Sequence, residues 1–237
     1  MNRMFKVGIA ALALAAVSPA FALDNLEVEE EGAVGWTPVA FGLASPVQLP
    51  WGHANWDVFG LGLNALYTGE AKMYGLGIGG LGMYTADDMI GLGISGLMNL
   101  NAKDVVGLNV TLGANICQGT VYGMQAGAFG YGKDIWGLDV EFLGGMYDNF
   151  WGVQIGGLAN IVKQQSYGWN VAIGVNIADV AYGWQLAGIF NMAQELHGCQ
   201  LGVVNFADNC EWGFQIGIVN IIMSNKLKVL PIVNAYF

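Results

Sequence analysis

Gly152-Val-Gln-Ile-Gly-Gly-Leu-Ala-Asn160 is the stretch whose reading decides the fold. Its period is two, the period of a β-strand. One parity carries Gly152, Gln154, Gly156, Leu158 and Asn160; the other carries Val153, Ile155, Gly157 and Ala159. The copy that starts at Gly168 repeats the split, with Asn170, Ala172, Gly174 and Asn176 against Trp169, Val171, Ile173 and Val175. One face is thus glycine, amide and small residues, and the other is aliphatic or aromatic. A water-soluble sandwich shows large polar side chains on its outer face. A small polar face opposite an oily one instead predicts a barrel with lipid outside and a narrow lumen inside.

Outward from this copy, the phrase is written eleven times, opening at Gly60, Gly75, Gly91, Gly107, Gly123, Gly137, Gly152, Gly168, Gly183, Gly198 and Gly213. Successive gaps are 14, 15 or 16 residues, and a degenerate twelfth copy runs from Lys228 to Phe237. Such self-similarity governs the fold. Between copies lie Lys72, Lys103, Lys133 and Lys163, alternating with Asp87-Asp88, Cys117-Gln118, Asp148 and Asp179. Unlike turns in alternation predict a unit of about 31 residues, an antiparallel hairpin whose two ends face opposite ways. The expected fold is all-β: an up-and-down antiparallel transmembrane barrel of about twelve strands over residues 57–237. The alternative is a β-solenoid with two strands per 31-residue coil. Its lysines would line one edge, and Leu, Ile and Val would fill its core.

The residue before the glycine is aromatic at Phe59, Tyr74, Tyr122, Trp136, Trp151, Tyr167, Tyr182 and Trp212. In a barrel these would divide into two girdles at the membrane interfaces.

The chain opens as a secretory leader. Arg3 and Lys6 precede the apolar run from Val7 to Val17, and Ala20-Phe21-Ala22 is a small-residue cleavage pattern, so residues 1–22 are expected to be removed. Six lysines and eighteen acids remain, a net charge of −12, with no arginine. That balance is unlike a nucleic-acid binder. Hydrophobic residues make up 54% and mean hydropathy is positive, yet no apolar run after the leader is long enough to span as a helix. Residues 23–56 differ in kind. They hold an acidic run, Glu27 to Glu31, and Pro38, Pro46 and Pro50, and are expected to be an irregular segment that plugs the lumen or lies across its mouth.

The repeats Gly198-Cys-Gln-Leu-Gly-Val-Val-Asn205 and Gly213-Phe-Gln-Ile-Gly-Ile-Val-Asn220 resemble the Gly-Leu-Gln-Leu-Gly-Leu-Val-Asn repeats of bacterial surface-repeat proteins. Pro46-Val-Gln-Leu-Pro50, followed by Trp56-Asp-Val-Phe-Gly60, is similar to their lead-in. The resemblance implies a surface or envelope location and no catalytic residues. Phe237, with Ala235, Val233 and Pro231 on its face, resembles the terminal signature of outer-membrane barrels. It implies outer-membrane lipid and the barrel assembly machinery as partners.

Candidate site residues are few. Asp139 and Glu141 sit two apart on the amide face and would bias a wet lumen toward cations, or repel each other in a dry one. Gln154, Gln185, Gln200 and Gln215 share one register and form a polar row. His53 and His197 have no serine or carboxylate at a triad spacing. Cys117, Cys199 and Cys210 show no metal spacing, and no cofactor motif is present. These features point to a non-enzymatic outer-membrane barrel, a narrow passive pore for small solutes. The alternatives are a surface barrel that transports nothing and is structural or adhesive, and a secreted β-solenoid.

Overall fold

The structure, a computed structural model, describes residues 33–44, 47–50 and 56–237. The expected leader, the acidic run and His53 lie outside these residues.

Hydrogen bonding runs parallel, from each copy of the phrase to the next. β1 (Gly35–Ala44) pairs with β2 (Val47–Leu49) in a hairpin and lies parallel to β3 (Trp56–Glu70). β3 pairs with β4 (Met73–Gly79) and β5 (Gly82–Thr85), which pair onward with β6 (Met89–Ser95) and β7 (Met98–Asn101). β8 (Val105–Thr111) follows β6, and β9 (Ala114–Gly156) winds on without interruption. β10 (Ala159–Ala172), β11 (Val175–Ala187), β12 (Phe190–Leu201) and β13 (Val204–Ile222) stack in parallel register, Gly168 on Gly183 and Gly183 on Gly198. The chain is a parallel β-solenoid of about ten coils.

This overturns the barrel. A barrel needs antiparallel neighbours and a closing seam, but β14 (Val229–Tyr236) pairs antiparallel with β13 alone, and the sheet never returns to β3. The alternative fold holds, with its coil halved. Bonded partners are 14 to 16 residues apart, as Asn191 to Asn205, Gln185 to Gln200 and Ser95 to Thr111 are, so one glycine phrase is one coil. Each coil has a long strand on one wide face, an apolar corner such as Gly80-Leu81, a short strand on the other face, and a charged corner such as Asp87-Asp88.

The lysine alternation has a different cause from the one expected. Lys72, Asp87 and Lys103 occupy the same corner of successive coils. Lys72 Nζ lies 3.5 Å and Lys103 Nζ 3.3 Å from the Asp87 carboxylate, and Lys163 Nζ lies 3.0 Å from Asp148. Like charges stacked every ~4.8 Å would repel. Alternation of sign down a single edge therefore looks in sequence like alternation between two ends of a hairpin.

The column glycines share one cause. Gly168 has φ +120° and Gly183 has φ +115°, which side chains rarely adopt. A Cβ on Gly168 would also fall on the Gly152 carbonyl oxygen of the coil below. Both end strands of the described stack carry a proline and a break in register. β1 shifts register at Pro38, between Thr37 and Val39. β14 carries Pro231 beside Ile232 at φ +70°, opposite the shift between Gly217 and Asn220. Proline and bulges protect an edge strand. Residues 35–44 thus form a strand layer against β3, where an irregular segment plugging the lumen or lying across its mouth was expected.

Gly168→Ala is expected to lower unfolding free energy by about 3 kcal/mol or more, measured by urea denaturation followed by circular dichroism. Gln164→Ala, at the exposed corner, should change it by less than about 0.5 kcal/mol.

Candidate functional site

The interior is made of amides. Asn160 Nδ2 donates to Asn176 Oδ1 at 3.0 Å, Asn176 to Asn191 at 3.0 Å, Asn191 to Asn205 at 2.9 Å and Asn205 to Asn220 at 2.8 Å. The same nitrogens reach a backbone carbonyl at the apolar corner. Asn160 donates to Val171 O, Asn176 to Leu186 O and Asn191 to Leu201 O, at 2.7 to 2.9 Å. Backbone bonds between coils continue through the corner, as from Leu158 N to Leu143 O and Gly188 N to Ala172 O, but a carbonyl turned inward there needs a side-chain donor. Asparagine is the short side chain that supplies one and still bonds its own copy above and below. A second column holds Gln185, Gln200 and Gln215, linked by two bonds of 2.7 Å. The alternative solenoid expected a core of Leu, Ile and Val. Apolar core residues occupy the interior beside the charged corner instead, as at Val58, Met73, Met89, Val105, Val121 and Ile135.

Gln154 joins a different group, because Asn170 stands between it and Gln185. Around Asp139 the interior changes composition. Where the spacing would place two more asparagines, the chain has Gly130 and Gly145. A Cβ at Gly130 would strike the Tyr147 hydroxyl, and one at Gly145 would lie 2.8 Å from Asp139 Oδ2. The two gaps admit Tyr147, which is wholly buried. Tyr147 Oη donates to Asp139 Oδ1 at 2.9 Å. Gln125 Nε2 donates to Tyr147 Oη at 2.7 Å and to Asp139 Oδ1 at 3.3 Å, and Gln154 Nε2 donates to Asp139 Oδ2 at 3.4 Å. Glu141 Oε1 accepts from Asn115 Nδ2 at 3.2 Å.

Asp139 is 0% and Glu141 2% exposed, so neither lines a watery passage, and the selectivity role expected of them falls with the lumen. Burial is the main force on both, and it pushes both carboxyls above their usual range. Asp139 is partly relieved by its three donors. Glu141 also feels the Asp139 charge, so Glu141 is the member that keeps its proton. A carboxyl pair closed from solvent can hold a proton but cannot meet a substrate. Tyr147 was missed because its role shows only when the glycine gaps are aligned at the 15-residue period.

The aromatic residues form one column, where two girdles were expected. Phe59 stacks on Tyr74 at 4.7 Å, Trp136 on Trp151 at 4.3 Å, Trp151 on Tyr167 at 5.8 Å and Tyr167 on Tyr182 at 4.4 Å. His197 continues the column at 4.4 Å from Tyr182, with Nδ1 3.6 Å from Glu211, and Trp212 pairs above it. Tyr122 stands in the same column, in register with Val106. The whole column runs along one wide face beside the charged corner. Phe237 lies exposed just past β14. That strand is a solenoid cap, so the barrel-assembly role expected of Phe237 has no barrel to serve.

The three cysteines are free and buried; burial pushes the Cys117 thiol up to about 12 and Cys210 up to about 11. Among the described residues no group of three or more His, Cys, Asp or Glu is placed to hold a metal, and no helix is long and apolar enough to cross a membrane. The class defined by fold and interior is a parallel β-solenoid with a closed, amide-filled core. Comparison with known protein families, with characterised proteins and with solved structures finds no match.

Two outcomes follow. Asn191→Ala leaves the Leu201 carbonyl and the Asn205 side-chain oxygen without their donor and should cost about 3 kcal/mol, read by urea denaturation. The acid pair ties stability to pH. Both folded-state carboxyls bind protons more tightly than unfolded ones, so their contribution is full below the ordinary carboxyl range and is lost as pH rises above it. The urea midpoint should therefore fall from mildly acid to alkaline pH, and Glu141→Gln should flatten that slope.

Proposed function

We propose that this chain is an exported, non-catalytic and non-transporting β-solenoid that serves the cell envelope as a structural or adhesive element. The observation that carries this reading is the filled interior: asparagine and glutamine columns, the buried acid pair and an apolar row occupy the space between the two sheets. A passive pore needs a continuous polar wall around water, and these side chains bond one another instead. The pore is accordingly given up. Export is supported by the leader-like residues 1–22, and an envelope location by the likeness of the Gly198 and Gly213 repeats to surface-repeat proteins. A non-catalytic role is supported by the placement of the titratable groups. Asp139, Glu141 and Tyr147 are shut from solvent, and His197 is held in the aromatic stack.

Expression of the full chain in a bacterial host should give an envelope-associated protein shortened by its leader. The purified protein should carry no current in planar bilayers. Cytoplasmic retention of the uncut chain, or discrete conductance steps, would contradict the proposal.

A further inference from the structure

The outside of the solenoid is zoned across its width, and each zone repeats along its length. Among the residues from 56 onward, every charged side chain outside the interior lies at the charged corner or in the loop that leads into β14, at Lys226 and Lys228. Next to that corner runs the aromatic column. Beyond it the long-strand face is aliphatic, with Leu63, Val153, Ile155 and Ile216 pointing outward. The opposite corner is a ridge of large apolar side chains, one in nearly every coil: Leu81, Leu97, Leu112, Leu158, Ile173 and Ile189. Phe142 belongs to the same ridge. Leu112 is 83%, Phe142 78% and Ile173 75% exposed. With about ten coils at ~4.8 Å each, the ridge is about 50 Å long.

A continuous apolar surface of this extent marks an interaction site. A second copy packed on one wide face would leave the ridge and the other face wet. A hydrocarbon medium covers ridge and flanks together. The order charged, aromatic, aliphatic is also the order met on passing from water through the headgroups into a bilayer. From Gly75 to Leu81 an extended chain covers about 20 Å. That is too short to cross a ~30 Å hydrocarbon core and close to the depth of one leaflet with its interface. No charged or aromatic column lies on the ridge to meet a far interface. Backbone groups are no obstacle, since each inner coil bonds its neighbours and the corner carbonyls have asparagine donors.

We propose that the solenoid lies lengthwise in one leaflet of a lipid membrane, ridge among the acyl chains, aromatic column at the headgroups and lysine–aspartate corner in water. This names the partner of the envelope element proposed above, but the contact itself is independent of export. Insertion of this kind depends on apolar area, and the acidic net charge gives it no preference for anionic lipid.

The purified full chain, free of detergent, is mixed with phosphatidylcholine vesicles and floated on a density gradient. The protein is expected to float with the vesicles. A Leu112→Asp, Phe142→Asp, Ile173→Asp variant, altered only at exposed positions and checked for unchanged circular dichroism, should lose at least tenfold in vesicle partitioning. Lys163→Gln should float like the parent. In a Leu158→Trp variant the added fluorescence should be quenched by lipids brominated deep in the acyl chain. Failure to float overturns the proposal, as does flotation that the triple variant leaves intact. A ridge that serves only self-association, lost in the triple variant without any vesicle binding, overturns it too. A chain that binds vesicles yet stays in the cytoplasm of its host sinks the export reading and leaves this one standing; an exported chain that ignores vesicles does the reverse.

Discussion

A carbonyl turned into a dry interior must find a donor, and in this chain that requirement repeats every coil. Where the long strand reaches the apolar corner, backbone bonds between coils continue past it, but one carbonyl per coil turns inward. The inward carbonyls of Val171, Leu186 and Leu201 are met by Asn160, Asn176 and Asn191. Because each asparagine also bonds the next, the donors form a chain along the axis, and such chains strengthen one another. Much else in the fold follows from keeping that column in step. The parallel register holds it, and the positive-φ glycines let coils approach closely on the opposite side.

The same constraint explains the inverted polarity. An interior this narrow cannot hold two layers of large side chains. Amides fill the half beside the apolar corner, where carbonyls need them, and apolar residues fill the half beside the charged corner. Large aliphatic and aromatic groups are left outside. The acid pair is a local exception with a visible cause. Gly130 and Gly145 open the asparagine column, Tyr147 enters, and Asp139 takes a place in the glutamine column between Gln125 and Gln154.

Much of this was legible in the residues. The period of two, the glycine phrase and the sorting of amides from aliphatics all survive in the structure, with Gln154 and Asn160 buried and Val153 and Ile155 outward. The topology was not legible, for two physical reasons. Lys72, Asp87 and Lys103 stack and pair in one corner column, so in sequence they imitate the two ends of a hairpin. The corner also hides within the alternation. Leu158 has the parity of Gln154 and Asn160 but projects from the turn, so Gly152 to Asn160 reads as one strand when it is two strands and a bend. Tyr147 carried no local signal, because its partners Asp139 and Gln125 lie 8 and 22 residues away and meet it only across the interior.

The central claim, that each glycine phrase is one coil stacked directly on the last, is open to a direct chemical measurement. In the solenoid Leu81 and Leu97 stand in register on the ridge of successive coils, Leu97 N donating to Leu81 O, and strands ~4.8 Å apart lie within the Cα separation a disulfide spans. In antiparallel hairpins they would lie toward opposite strand ends. Oxidation of a Leu81→Cys, Leu97→Cys variant should join the two rapidly and completely, the native cysteines being buried. A pair that stays reduced under conditions that oxidise exposed, adjacent thiols would contradict the account.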